Sequence, residues 1–156
     1  MHHIFVIQKI FRMIQRIQSV FLFISALFFG SEFALPFATS NVSLTSFLSD
    51  LIYNIYDSPI LMGITVAGII VCLIAIFLYK NRGLQSKLSY VSILLSIALP
   101  LTAFLLLKNQ EMPNITYEIS EGLGLFMPVG SLIFSSLAAR FIKKDDKLVK
   151  SMDRLR

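Results

Sequence analysis

Apolar residues in this chain gather into four long runs, and polar residues cluster between them. The first run extends from about Ile17 to Ala38, through Val20-Phe21-Leu22-Phe23-Ile24 and Ala26-Leu27-Phe28-Phe29, with Glu32 near its far end. The second covers Pro59 to Tyr79. The third, Leu88 to Leu107, holds no charge, and the fourth, about Gly122 to Ile142, holds only Arg140 in its last turn. At about 1.5 Å per helical residue, each run is long enough to cross a hydrocarbon layer of about 30 Å. Strands of a membrane barrel would alternate with a period of two over about ten residues, so the pattern predicts helices, which satisfy their own backbone hydrogen bonds in lipid. The predicted fold class is therefore all-α. It is an integral membrane four-helix bundle over residues 17–142, between an arm at 1–16 and a cytoplasmic basic C-terminal helix at 143–156.

The connecting segments predict smaller elements. In the arm, Val6, Ile7, Ile10, Phe11, Ile14 and Ile17 share one helical face and Lys9, Arg12 and Arg16 the opposite one. That amphipathic pattern suits the membrane interface or a basic flank of the first span. Met13 offers a second start point, with residues 1–12 then an extension. After the Ser- and Thr-rich link at 39–46, Phe47, Leu48, Leu51, Ile52 and Ile55 recur at helical spacing. They predict a short interfacial helix capped by Ser43, with Asp50 and Tyr53 on its polar side. The second such loop, Lys108 to Glu121, carries Glu111, Glu118, Glu121 and Pro113 and is expected to be solvated. Pro100 and Pro128 are expected to kink or loosen spans three and four. Gly63 with Ala67, and Ser131 with Ser135 and Ala139, recur every four residues and would let helix backbones approach closely.

Charge then sets orientation. Lys9, Arg12 and Arg16, the turn residues Lys80, Arg82 and Lys87, and Arg140, Lys143, Lys144, Lys147, Lys150, Arg154 and Arg156 all fall on one side of the four spans; only Lys108 falls on the other. The positive-inside rule places both termini in the cytoplasm. Ser31 to Ala34 has small residues at a signal-peptidase spacing, but the apolar run continues through Phe37, so an uncleaved anchor is expected.

Composition supports a membrane protein: 56% of residues are hydrophobic and 15% charged, against about 45 to 50% and about 25% in soluble domains. The net charge of +5 lies at the borders of apolar runs, which does not suit nucleic-acid binding. Cys72 is the sole cysteine and His2 and His3 the only histidines, so no disulfide framework, metal cluster or bis-histidine haem is predicted. Ser92, Ser96, Ser131, Ser135 and Ser136 lack a histidine or intramembrane lysine to activate them, and no enzyme is predicted. No cofactor is expected. Asn41-Val42-Ser43 and Asn114-Ile115-Thr116 match the glycosylation triplet, which matters only in a eukaryotic secretory pathway.

Two places remain for function. Glu32 is the candidate intramembrane polar residue, near the outer interface, where its carboxylate is expected to reach headgroup water. Lys143, Lys144, Lys147, Leu148, Lys150, Met152, Arg154 and Arg156 are candidate lipid- or partner-contacting residues. On a helix, Phe141, Leu148, Met152 and Leu155 share one side, with Val149 beside them, and Asp146 pairs with Lys150. Asp145, Asp146 and Asp153 dilute a purely lipid-binding pattern and leave room for a protein partner.

The two ends of the chain, Met13-Ile14-Gln15-Arg16-Ile17-Gln18 and Ile142-Lys143-Lys144-Asp145-Asp146-Lys147-Leu148-Val149-Lys150-Ser151-Met152-Asp153-Arg154-Leu155-Arg156, resemble an uncharacterised family of small bacterial four-span membrane proteins. That family is a domain of unknown function chiefly associated with the Bacteroidetes. The resemblance covers Met13 to Arg156 and implies an integral inner-membrane protein of four helices, with no catalytic residue to carry over. The sequence therefore points to a non-enzymatic accessory, scaffold or regulatory membrane protein whose tail meets lipid or a protein, with a small transporter or channel component as the alternative.

Overall fold

The computed structural model describes residues 2–43, 46–109 and 118–153, with side chains described from 17 to 43, 47 to 109 and 118 to 151. Four helices dominate it: α1 (His2–Ser31), α2 (Pro59–Phe77), α3 (Arg82–Lys108) and α4 (Met127–Asp153). Each packs on its neighbours in chain order and α4 closes the ring against α1. The helix starts are locally encoded. Ser58 caps α2, its Oγ accepting from Ile60 N at 3.3 Å, and Pro59 occupies the first turn, where a missing N–H costs nothing. Asn81 Oδ1 caps α3 by accepting from Leu84 N at 3.2 Å. Pro100 is carried inside α3. Pro128 falls in the first turn of α4, directly after the 3-10 turn Leu123–Phe126.

The bundle is small and polar inside and large and apolar outside. Ser25, Thr65, Ser92, Ser96, Ser131, Ser135, Ala138 and Ala139 are buried. By contrast, Phe23, Phe77, Leu94, Ile97, Leu101, Phe104 and Ile133 are exposed, Leu94 at 65%. An apolar belt of that extent is costly in water and suited to lipid, while small inward residues let helices approach. Gly68 lies under the ring of Phe29 and Gly130 under that of Phe28, each so close that an added Cβ would stand under 3 Å from it. The expected approach at Gly63 is not seen: it is exposed, with nothing within 4 Å of an added Cβ. Ser131, Ser135 and Ala139 are buried as expected.

One end of the bundle carries a cap that the hydropathy pattern does not reveal. Strand β1 (Ala38–Ser40) pairs antiparallel with β2 (Ile52–Tyr53) and with β3 (Ile119–Glu121), giving the order β2-β1-β3. The first apolar run therefore stops being helical at Ser31, short of the predicted Ala38. Pro36 disfavours helical backbone at Leu35, and the residues beyond are drawn into the sheet. The interfacial helix expected around 47–55 is replaced by two single 3-10 turns, Ser46–Leu48 and Ile55–Asp57, flanking β2. Leu51 adopts φ 69°, which no right-handed helix accommodates, and Ser43 Oγ donates to Ser49 O without capping a helix. Tyr53, assigned to the polar side, is fully buried between Phe37 and Phe47, and its hydroxyl donates to Ala103 O at 3.1 Å.

The cap joins both loops. Asn41 Oδ1 accepts from Glu118 N at 2.9 Å, Gly122 N donates to Phe37 O at 2.8 Å and Gly124 N to Pro36 O at 2.9 Å. A Cβ on Gly122 would lie 2.1 Å from Pro36 O, so only glycine permits this approach. Residues 119–121 of the loop expected to be solvated thus belong to the sheet; Glu111, Pro113 and Asn114-Ile115-Thr116 lie outside the described residues.

Candidate functional site

The polar interior has three levels along α1, at Gln18, Ser25 and Glu32, each two turns from the next on the inward stripe that also buries Leu22 and Phe29. At the middle level α1, α3 and α4 contribute hydroxyls to one chain, and α2 adds the thiol of Cys72. Ser96 Oγ is 3.0 Å from Ser131 Oγ, Ser131 is 2.8 Å from Ser25, Ser25 is 2.7 Å from Ser135, and Ser135 is 2.7 Å from Ser92. Ser92 is in turn 3.1 Å from Cys72 Sγ. A hydroxyl both donates and accepts, so the chain satisfies itself without a charge. Ser96 also donates back to Ser92 O at 2.9 Å. These contacts are to other hydroxyls, a thiol and carbonyls, so no serine here is paired with a base that would make it a nucleophile. The sequence signal was the recurrence of Ser131, Ser135 and Ala139 on α4; that Ser25 and Cys72 would meet them needed the packing.

At the capped level Glu32 departs from expectation. It does not reach water: it is 1% exposed, and among the described residues neither carboxylate oxygen has a hydrogen-bond partner. It sits in the turn just past the last residue of α1, where Glu32 N and Phe33 N donate to Phe29 O and Gly30 O.

The opposite level holds a carboxylate that the sequence placed in the free tail. Asp145 is fully buried, and Arg82 Nε stands 2.9 Å from its Oδ2, an ion-pair contact that lacks hydrogen-bond alignment. Gln18 and Gln85 are buried at the same end with amide nitrogens unpartnered. The signal was present: Asp145 continues the stripe Ala138, Ile142 at helical spacing.

The tail residues divide by face. Helix α4 runs unbroken from Met127 to Asp153, so no boundary separates span from tail. Lys143, Lys144, Lys147, Leu148 and Lys150 are exposed. Lys143 Nζ stacks over Tyr90 at 4.8 Å, and Lys150 Nζ pairs with Asp146 Oδ2 at 2.6 Å, as the i,i+4 spacing predicted. Phe141 is half-buried against Phe21, their ring centroids 5.4 Å apart, so it is not free to join Leu148 in one docking stripe. The side chain of Met152, and Arg154 and Arg156, lie outside the described residues. Among the described residues no three His, Cys, Asp or Glu side chains gather in a way that could hold a metal ion.

A helical bundle with an apolar exterior, and with α2, α3 and the stretch Leu123–Ser151 each long and apolar enough to cross a membrane, defines a helical membrane protein class; Ile17–Ser31 is a shorter apolar helix. Within that class the chain belongs to the family described as Domain of unknown function (DUF4293), which matches residues 14–155. No curated protein and no solved structure matches the chain.

Proposed function

We propose that the chain is a multi-pass protein of a bacterial inner membrane that crosses it four times with both termini in the cytoplasm. It acts without catalysis, as an accessory, scaffold or regulatory protein whose α4 end meets anionic lipid or a cytoplasmic partner. The observation that carries this is the rigid extension of α4. Asp145, held by Arg82, fixes the helix against the bundle beyond its apolar stretch, and Lys143, Lys144, Lys147 and Leu148 are left exposed. Cations presented this way at a membrane surface are each worth about 1 kcal/mol on anionic lipid. A photo-crosslinker placed at Leu148 in native membranes should capture a recurrent protein or a lipid adduct, and Lys144→Gln with Lys147→Gln should reduce that adduct. Unchanged crosslinking in the double variant would remove the tail from the proposal.

A transporter or channel component is the second reading, favoured by the buried and unpartnered carboxylate of Glu32.

A further inference from the structure

We propose that Glu32 is a proton-binding site: its carboxyl holds an exchangeable proton inside the capped end of the bundle. This deepens the second reading above and rests on Glu32 lying at one end of a membrane-embedded helical bundle.

The geometry selects the ligand. An ionised carboxylate taken out of water needs a counter-charge or several hydrogen-bond donors, and Glu32 has neither among the described residues. Its own helix makes ionisation worse, because Glu32 follows the C-terminal turn of α1, where the peptide dipoles present negative charge. The neighbouring elements offer no relief. At this end the cap carries Asp50, Tyr53, Tyr56, Asp57, Glu118 and Glu121, and α3 ends in Lys108; none forms an ion pair or hydrogen bond with Glu32. On α2 the only titratable group is Cys72, which belongs to the hydroxyl chain, and α4 has none before Arg140.

A metal cation does not suit the same place. Calcium takes about six to eight oxygen ligands and magnesium six in near-ideal geometry, and among the described residues no three His, Cys, Asp or Glu side chains gather here. A proton needs one ligand atom. A route for exchange lies beside it: Glu32 borders a pocket of about 200 Å³ shared with Leu35, Pro36, Ile52, Asn54 and Tyr56, the last of which is exposed. The proton comes from water and returns to it, so the exchange needs no co-reactant. Beyond Glu32 toward the bundle centre lie Phe29 and then the hydroxyl chain, so the site sits at the mouth of the polar interior.

The test uses the full-length protein in liposomes and dicyclohexylcarbodiimide, an apolar reagent that reacts with protonated carboxyl groups, with adducts mapped by mass spectrometry. The expected result is an adduct on Glu32 at both pH 6 and pH 7.5, where an exposed carboxyl, with its ordinary value of about 4.3, would be ionised and unreactive. Infrared spectra of the same wild-type sample should show a protonated carboxyl band at pH 7.5 that is missing in Glu32→Gln. An unmodified Glu32 at pH 6 in helical, folded protein would overturn the proposal. So would labelling at pH 6 that is gone at pH 7.5, or a carboxyl band that disappears in the ordinary glutamate range of about 4.3. None of these results bears on membrane orientation, which separate labelling of the two ends decides.

Discussion

At the scale of single residues, Glu32 couples the fold to pH. Its carboxyl is buried without a partner among the described residues, so the folded bundle favours the neutral acid over the carboxylate. That contribution is fully present in acid and is lost as pH rises. Glu32→Gln stays neutral throughout. It should melt a few degrees above wild type at pH 8.5 and at nearly the same temperature near pH 4, by thermal unfolding in detergent; parallel profiles would contradict the assignment. Gly122 gives a steric counterpart. Gly122→Ala drives a Cβ toward Pro36 O and should cost about 1 to 3 kcal/mol, whereas Gly63→Ala, facing open space inside a helix, should be neutral or slightly stabilising. The sequence singles out Glu32 by its charge in an apolar run. Its burial depends on cap residues more than twenty positions away, such as Asn54 and Tyr56, and periodicity carries no such information.

At the scale of elements, the hydroxyl chain and the Arg82–Asp145 contact hold the helices in register. Ser25 touches Ser131 and Ser135 at once, so Ser25→Ala should cost about 0.6 to 1.7 kcal/mol, the range for hydrogen bonds between membrane helices. Arg82→Gln should cost more, about 3 to 5 kcal/mol, because it leaves a buried carboxylate without its cation. Replacing both partners, Arg82→Met with Asp145→Leu, should recover most of that loss, and a double-mutant cycle in detergent unfolding measures it. Four helices were legible because each buries its own backbone and needs only a long apolar run. The sheet was not legible. Its strands are two or three residues long, Thr39 pairs with Ile52 on one side and Ser120 on the other, and beside Ser120 the chain comes close through Gly122. The apolar spacing of Phe47, Leu48, Leu51 and Ile55 fits a helix, yet Leu48 and Ile55 are buried in the cap from separate turns.

At the scale of the whole molecule, a polar interior lies inside an apolar exterior. Lys80, Arg82 and Lys87 flank the turn that Asp145 grips, so they share one end with the exposed lysines of α4, while the sheet closes the other. Burial of Asp145 also changes what the C-terminal segment is, from a separate basic helix to the last turns of α4. If the bundle sits in the membrane as proposed, the lysine end faces the cytoplasm and the capped end faces out. Sided labelling tests this most directly. In a Cys72→Ser background, which keeps a hydroxyl in the polar chain, Ser43→Cys in the cap and Ser151→Cys near the end of α4 are each treated with a membrane-impermeant maleimide in intact spheroplasts. Ser43→Cys should label at once and Ser151→Cys only after permeabilisation. Labelling of Ser151→Cys in intact cells with Ser43→Cys protected would contradict the orientation, and equal labelling of both would contradict the membrane-spanning bundle itself.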